Sequence, residues 1–537
     1  MRSFILICLS LGLSLTLSAQ APGVTLSESF KAPEEYLPSD NILTLGDGFA
    51  LYSLKYKKQP LKSKKKISQL ETIKLLLHDQ ELKQTAVHDL SWNGTRDFRS
   101  LTSIEDNLLW VYETQKEKGA PISIKTQIVK PDGSLGKETK ILTYSADDKI
   151  DYTIYRSRSF DKSKYIYVLT EASDNRAFSK KDDVNTSVTF FIVDNNGETI
   201  TLEKKKLRVP RDRFEMLTIA VDNQGTAYMV GREFAKGSKK QKKNGSDALL
   251  KIYTLEAGSS DIVAKTLRTN AMYIRSATLV AGVDVTPSLF GTYAEEYGKG
   301  LNGFFFAKNP QDGKPLKPRP FTSTELDKLG KRVTRGKGAK RLIEPSFEFH
   351  GALVSRDGSA SVLLESYVYS PSRVVTAGNG TTTNSPPRHS FGEGIIINLS
   401  PEGSIEDFTV VPKYQSMTYY ISPWARMDLL GFNGKPAVIY NDNPKNLTRD
   451  LEKHPKALKW KNGVATIGYA DENGNLVRRP LFSRKEADKM LIVPESATEL
   501  KNGDVVFLSY RLSMFDRDQY MIGRLKRGTS VKARSRN

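Results

Sequence analysis

Six carboxylates close six short apolar runs of this chain: Glu113, Glu171, Glu233, Glu296, Glu365 and Asp442. The runs are Leu108–Glu113, Tyr165–Glu171, Ala227–Glu233, Leu289–Glu296, Ser361–Glu365 and Pro436–Asp442. Two further runs, Phe49–Lys55 and Val505–Arg511, end on a cation instead. Carboxylates converging on one opening would hold a cation or a polar ligand. A pair at suitable separation would serve glycoside hydrolysis or a lyase. The same residues serve equally well as strand-end partners for neighbouring lysines, each pair contributing little. His389 and His454, with Glu393, Asp442 and Asp450 nearby, offer a second set for proton transfer or weak metal binding. Trp424, Trp460, Tyr419 and Tyr420 suit sugar stacking or ordinary packing.

The remaining motif search is negative. There is no zinc-binding His-Glu-x-x-His helix, no Gly-x-Ser-x-Gly elbow, no phosphate-binding Gly-Lys-Ser/Thr loop and no EF-hand loop. No metal site and no cofactor is expected. Binding therefore ranks above catalysis, with a carbohydrate-active hydrolase or lyase at the channel mouth as the alternative.

The elements that position these residues are strands. Asp47-Gly48, Asp132-Gly133, Asn196-Gly197, Gly225, Asp357-Gly358, Glu402-Gly403, Asn433-Gly434, Asn473-Gly474 and Asn502-Gly503 punctuate the chain beside β-branched and aromatic runs. Such turns join antiparallel strands. Their recurrence over the whole length predicts an all-β radial array, one β-propeller of eight four-stranded blades, with seven as the alternative. The units begin near residues 42, 101, 155, 213, 275, 346, 424 and 496. The eighth lacks an outer strand, which Val24–Phe30 is expected to supply, closing the ring. Short helices are expected after the capping boxes that begin at Thr322-Ser323 and at Ser483.

Strand alternation sorts the loops by face. The tight turns lie on one face, and the long connections, including Tyr56–Lys66, Phe234–Ser246, Ser323–Pro345 and Tyr367–Glu393, lie on the other. Lys57, Lys58, Lys239, Lys240, Lys242, Lys243, Arg335 and Lys337 fall in these connections and mark the long-loop face as the expected binding face. The second strand of each unit is expected near the channel. Its end residues would then form an acidic arc at the mouth, with Lys55 and Arg511 as a basic gap.

The start of the chain reads as a secretory signal over residues 1–19, with Arg2, an apolar stretch from Phe4 to Leu17, and Ser18-Ala19-Gln20 at the cleavage point. Residues 20–526 are assigned to the propeller and 527–537 to a basic tail. The single cysteine, Cys8, lies within the signal, so the exported body carries no disulfide or thiolate site. No later segment is long and apolar enough to span a membrane. The formal net charge is +20 and falls by one when Arg2 is removed. A basic exported protein meets anionic material, so the expected partners are an anionic polysaccharide, lipopolysaccharide or an envelope protein. Nucleic acid is disfavoured, because no stacking aromatics are interleaved with the lysines. A periplasmic or secreted monomer is expected.

With its Ser18-Ala19-Gln20 signal end, its repeated Gly turns and its strand pattern, the chain resembles exported β-propeller proteins of Bacteroidota. The resemblance implies the fold and export, and no particular activity.

Overall fold

The computed structural model describes residues 23–31, 36–56, 70–90, 95–116, 120–144, 151–172, 185–210, 213–234, 248–270, 272–282, 287–294, 301–322, 346–355, 357–376, 382–418, 423–451, 453–471, 474–511 and 519–527. Strand accounts for 67% of these residues and helix for 3%, and the strands form eight four-stranded antiparallel blades in a ring. The expected eight-bladed β-propeller is the fold. In blades one to seven the four strands follow chain order from the axis outward, and in blade eight the first three do; the strands are called A to D here. Blade three shows the plan, with A at Asp151–Arg158, B at Lys164–Ala172, C at Asn185–Asp194 and D at Thr199–Pro210.

The tight turns have a local cause. In blade four, Gly225 takes φ 91°, and its N–H donates to the Asp222 carbonyl at 3.2 Å. The Asp222 carboxylate accepts from the N–H groups of Gln224 and Thr226, both at 2.9 Å. An Asp that closes its own turn and a Gly free to adopt positive φ make the hairpin cheap to form.

Strand alternation then builds the core. Strand B of blade two (Asn107–Gln115) turns Leu108, Trp110 and Tyr112 toward blade one and Leu109 and Val111 toward blade three. Every interface between neighbouring blades has its own apolar cluster. Both faces of strand B are therefore buried, which is why these strands read as continuous apolar runs.

The ring closes as the missing outer strand required. Val24–Leu26 and Phe30–Lys31 both pair with Gln519–Leu525 of blade eight. Between them the Ser27 hydroxyl accepts from the Ile522 N–H at 3.0 Å, bridging the break in the ladder.

Two local expectations change. The Ser483 capping box forms: Ser483 N–H donates to the Glu486 carboxylate at 2.6 Å, and Glu486 N–H donates to the Ser483 hydroxyl at 3.3 Å. No helix follows. Asp488 and Lys489 take φ 46° and 64°, and the chain closes as a turn before strand A of blade eight (Leu491–Glu499). The corresponding segment after Thr322 lies outside the described residues. The Tyr367–Glu393 connection is also more ordered than a loop. Strands B (Ala360–Ser370) and C (Arg388–Leu399) of blade six run on past the blade, Gln415–Thr418 joins them, and Arg373–Thr376 pairs with Thr382–Ser385. Among the described residues no helix is long and apolar enough to cross a membrane.

Candidate functional site

Strand A of several blades carries a one-residue bulge, which re-aims a side chain. The extra residues are Arg99 in blade two, Leu217 in blade four, Arg275 in blade five and His350 in blade six. Two of these meet the carboxylate at the end of strand B. Arg99 donates to Glu113 at 2.6 Å, and His350 Nε2 lies 3.0 Å from Glu365 Oε2. In blades two and six the carboxylate is thus met from its own blade.

Blade six elaborates this pair. Glu365 and Lys413 are both fully buried, and Lys413 Nζ donates to Glu365 Oε1. Lys413 also donates to Gln415 Oε1 at 3.3 Å and lies 5.7 Å from the Phe391 ring centroid. Burial pulls the Glu365 carboxyl upward, but Lys413 and His350 hold it below the ordinary carboxylate range. Burial lowers Lys413 in turn, opposed by Glu365. Asp442 follows in blade seven. Its Oδ1 accepts from Asn443 N–H and from the Asn446 side chain, each at 2.7 Å. Burial pushes its pKa up to about 6. Asn441 ties blade seven to blade eight, donating to Ile492 O at 2.7 Å and accepting from Ile492 N–H at 3.2 Å. Gln415 donates to Asn441 O at 2.8 Å, joining both networks.

The other sequence-selected residues resolve similarly. Glu113 also accepts from Tyr144 at 2.9 Å. Glu233 is held by Tyr253 and, at 2.6 Å, by Lys251. Arg511 donates to Gln519 at 3.4 Å. Lys55 pairs with Glu71 at 3.5 Å. Glu171 lies on strand B opposite Tyr152, and its side chain is outside the described residues, as is Glu296. Lys57, Lys58, Lys239, Lys240, Lys242, Lys243, Arg335 and Lys337 also lie outside them. His389 is bonded to Tyr367 Oη at 2.8 Å and packs beside Tyr369. His454 contacts its own Pro455 carbonyl at 2.8 Å and meets Tyr414 edge-on. Each histidine is thus engaged by its own neighbours. Trp424 and Trp460 pack on one another with centroids 5.3 Å apart, and Trp424 donates to Tyr510 O at 2.9 Å, so both serve interblade packing.

The axial cavity lies elsewhere. It encloses about 660 Å³ and is walled by strand A, not strand B. Glu113, Glu233, Glu365 and Asp442 are not among its lining residues. Strand B stands one strand further out, and Glu113, Glu233, Glu365 and Asp442 are each bonded to nearby groups there. The lining comes from the later part of strand A, as with Leu429–Gly431 and Ala352–Val354, and so lies toward the tight-turn face. That is the face opposite the long connections.

The wall is electrically lopsided. Blade three supplies Arg156, Arg158 and Lys162, all exposed to the cavity, whereas blade eight supplies Glu495 and Glu499. The lining from blades one, two, five, six and seven is uncharged. Among the described residues Arg156, Arg158, Lys162 and Glu499 make no ion pair, whereas Glu495 is bonded to Arg426 at 3.3 Å. Lys162 sits at φ 62° in a turn pinned by Asp161, whose carboxylate accepts from the Ser159 hydroxyl at 2.6 Å and the Ser163 N–H at 3.0 Å. Crowding by the wall, then Arg158, lowers the Lys162 pKa, and Glu499 opposes the shift. Asp428, set near Glu495 and His350, is pushed up to about 7, mainly by burial.

No family model matches the chain, and no curated protein does. Solved structures match it at low identity and low TM-score. Prolyl oligopeptidase B from Galerina marginata is 9% identical with a TM-score of 0.37, covering 91% of this chain and 56% of its own. The Pyrococcus horikoshii acylaminoacyl peptidase is 12% identical with a TM-score of 0.35, covering 90% and 59%. Penicillium chrysogenum α-L-arabinanase is 11% identical with a TM-score of 0.27, covering 72% and 99%. The chain spans little more than half the length of those two peptidases.

Sequence reasoning passed over Arg156, Arg158 and Lys162. The signal was present: strand A of unit three carries two cations at i and i+2, where unit two, for example, places the neutral Leu101-Thr102-Ser103.

Proposed function

We propose that this chain is a non-catalytic binding propeller that takes an anionic ligand in its axial channel. The observation that supports this most directly is the cation set of blade three. Arg156, Arg158 and Lys162 face a 660 Å³ cavity, and no described carboxylate lies within ion-pair distance of them. Guanidinium groups suit planar carboxylates and phosphates, because their forked donors match both. Positive charge inside a concave wall also concentrates anions. Glu365 and Asp442, two of the carboxylates that could serve acid-base work, are fully buried, with Glu365 bonded to Lys413 and Asp442 to Asn443, and are not open to the cavity.

The same reading places the protein outside the cytoplasm, in the envelope or released from it. The first 19 residues support this, as does a body without cysteine beyond them. An anionic glycan or lipopolysaccharide is then the natural partner class.

The test is titration of the full-length exported protein with acidic oligosaccharide, lipopolysaccharide and neutral dextran, at low and high salt. Wild type is expected to bind an acidic probe and not dextran. Arg156→Ala with Arg158→Ala is expected to weaken that binding by about tenfold or more. Undiminished binding in the double variant would move the site away from the channel, toward the long connections.

A further inference from the structure

The channel carries charge of both signs, and the two signs are segregated. Lys162 and Glu499 are within electrostatic reach of one another, although they come from blades three and eight. Glu495 is occupied by Arg426, whose guanidinium also lies over the Phe391 ring at 5.7 Å. Glu499 has no such partner among the described residues. It is held in place by the ladder, opposite Val505 at the end of strand A, beside the Leu500–Asp504 turn.

A purely anionic ligand filling this cavity would satisfy blade three and set its negative charge against Glu499. Like charges brought together in a concave wall are unfavourable. We propose that the cavity selects a zwitterion, with a carboxylate or phosphate against Arg156, Arg158 and Lys162 and a primary ammonium against Glu499. This rests on the anion-binding reading above and narrows it. Two sources carry the required chemistry: the two ends of a short peptide, and a phosphoethanolamine group such as decorates a glycolipid head.

Two matched pairs of probes distinguish the sources and test the ammonium. Glycylglycine is compared with N-acetylglycylglycine, and phosphoethanolamine with ethyl phosphate, by calorimetric titration of the full-length exported protein. In at least one pair the zwitterion is expected to bind at least about fivefold tighter than its analogue without the ammonium. Glu499→Gln, an exposed substitution whose folding is checked by thermal melting, is expected to erase that preference. It should leave the analogue's affinity equal or improved. The preferred pair identifies the source.

Analogues that bind as tightly as both zwitterions, with no change of ratio in Glu499→Gln, overturn the zwitterion proposal. The anion site then stands if Arg156→Ala with Arg158→Ala weakens the analogues. If that double variant leaves all four probes unaffected, or none binds, the anion reading itself fails.

Discussion

Blade three and blade six both concentrate charge, and they do so to opposite ends. In blade six, Glu365 and Lys413 are fully buried, bonded to each other and supported by His350 and Gln415. In blade three, Arg156, Arg158 and Lys162 stand open to the cavity without ion-pair partners among the described residues. The first arrangement ties blade six to the connection that leads into blade seven, and the second leaves its cations open to the cavity. Residue types suited to chemistry are plentiful in both. Access and an unmet partner separate them.

The sharpest way to break this comparison is to remove one half of the buried pair. Lys413→Met leaves the Glu365 carboxylate buried without its cation and is expected to destabilise the fold by about 3–5 kcal/mol, read by urea unfolding. Adding Glu365→Gln should recover a substantial part of that loss. A single variant as stable as wild type would mean that the pair is not the joint described.

The joint extends to Asn441, whose side chain satisfies both backbone groups of Ile492 in the next blade. Asn441→Ala strands those groups and is expected to cost about 1–3 kcal/mol by the same measurement.

Asp428 tests the border between the two regimes through pH. An unfolded Asp titrates near pH 4, whereas folded Asp428 titrates at about 7. Between those values the folded state binds more protons, so this group's contribution makes stability fall as pH rises. Asp428→Asn should match wild type below pH 4 and be more stable at pH 8. The gain is about 1–2 kcal/mol, limited because the residue is only half-buried. Glu365, held low by Lys413 and His350, has the opposite sign: its contribution is present above the unfolded carboxylate pKa and is lost as the pH falls through its lower folded value.

The smallest effect on stability is expected at blade three. Arg156→Ala with Arg158→Ala should leave the melting curve within experimental error while abolishing most anion binding. A large loss of stability there would make the arginines structural and erase the contrast with blade six.

Much of the architecture was legible residue by residue. Gly225 and its equivalents marked the turns, and the unbroken apolar runs around Trp110 and Ile439 marked strands buried on both faces. The unfilled edge of blade eight pointed to Val24–Phe30. The recurring carboxylate was also legible, but its role was not. Whether Glu365 faces water or Lys413 depends on a bulge at His350 and on a lysine 48 residues away. The Ser483 capping box shows the same limit. Its hydrogen bonds formed locally, yet the chain turned at Asp488 and Lys489 to enter blade eight, because packing overrode the helical signal.

What the sequence by itself determined is therefore the set of short-range features: turn chemistry, strand periodicity, the number of blades and the strand that closes them. These depend on φ preferences and on which face of a strand is apolar, both set within a few residues. Only the tertiary structure decided which charges are paired inside blades and which stay open to the cavity. Burial and pairing are properties of surfaces brought together from distant segments. Glu113 and Arg158 look equally available in the sequence, and only the closed ring buries the first and opens the second to the channel.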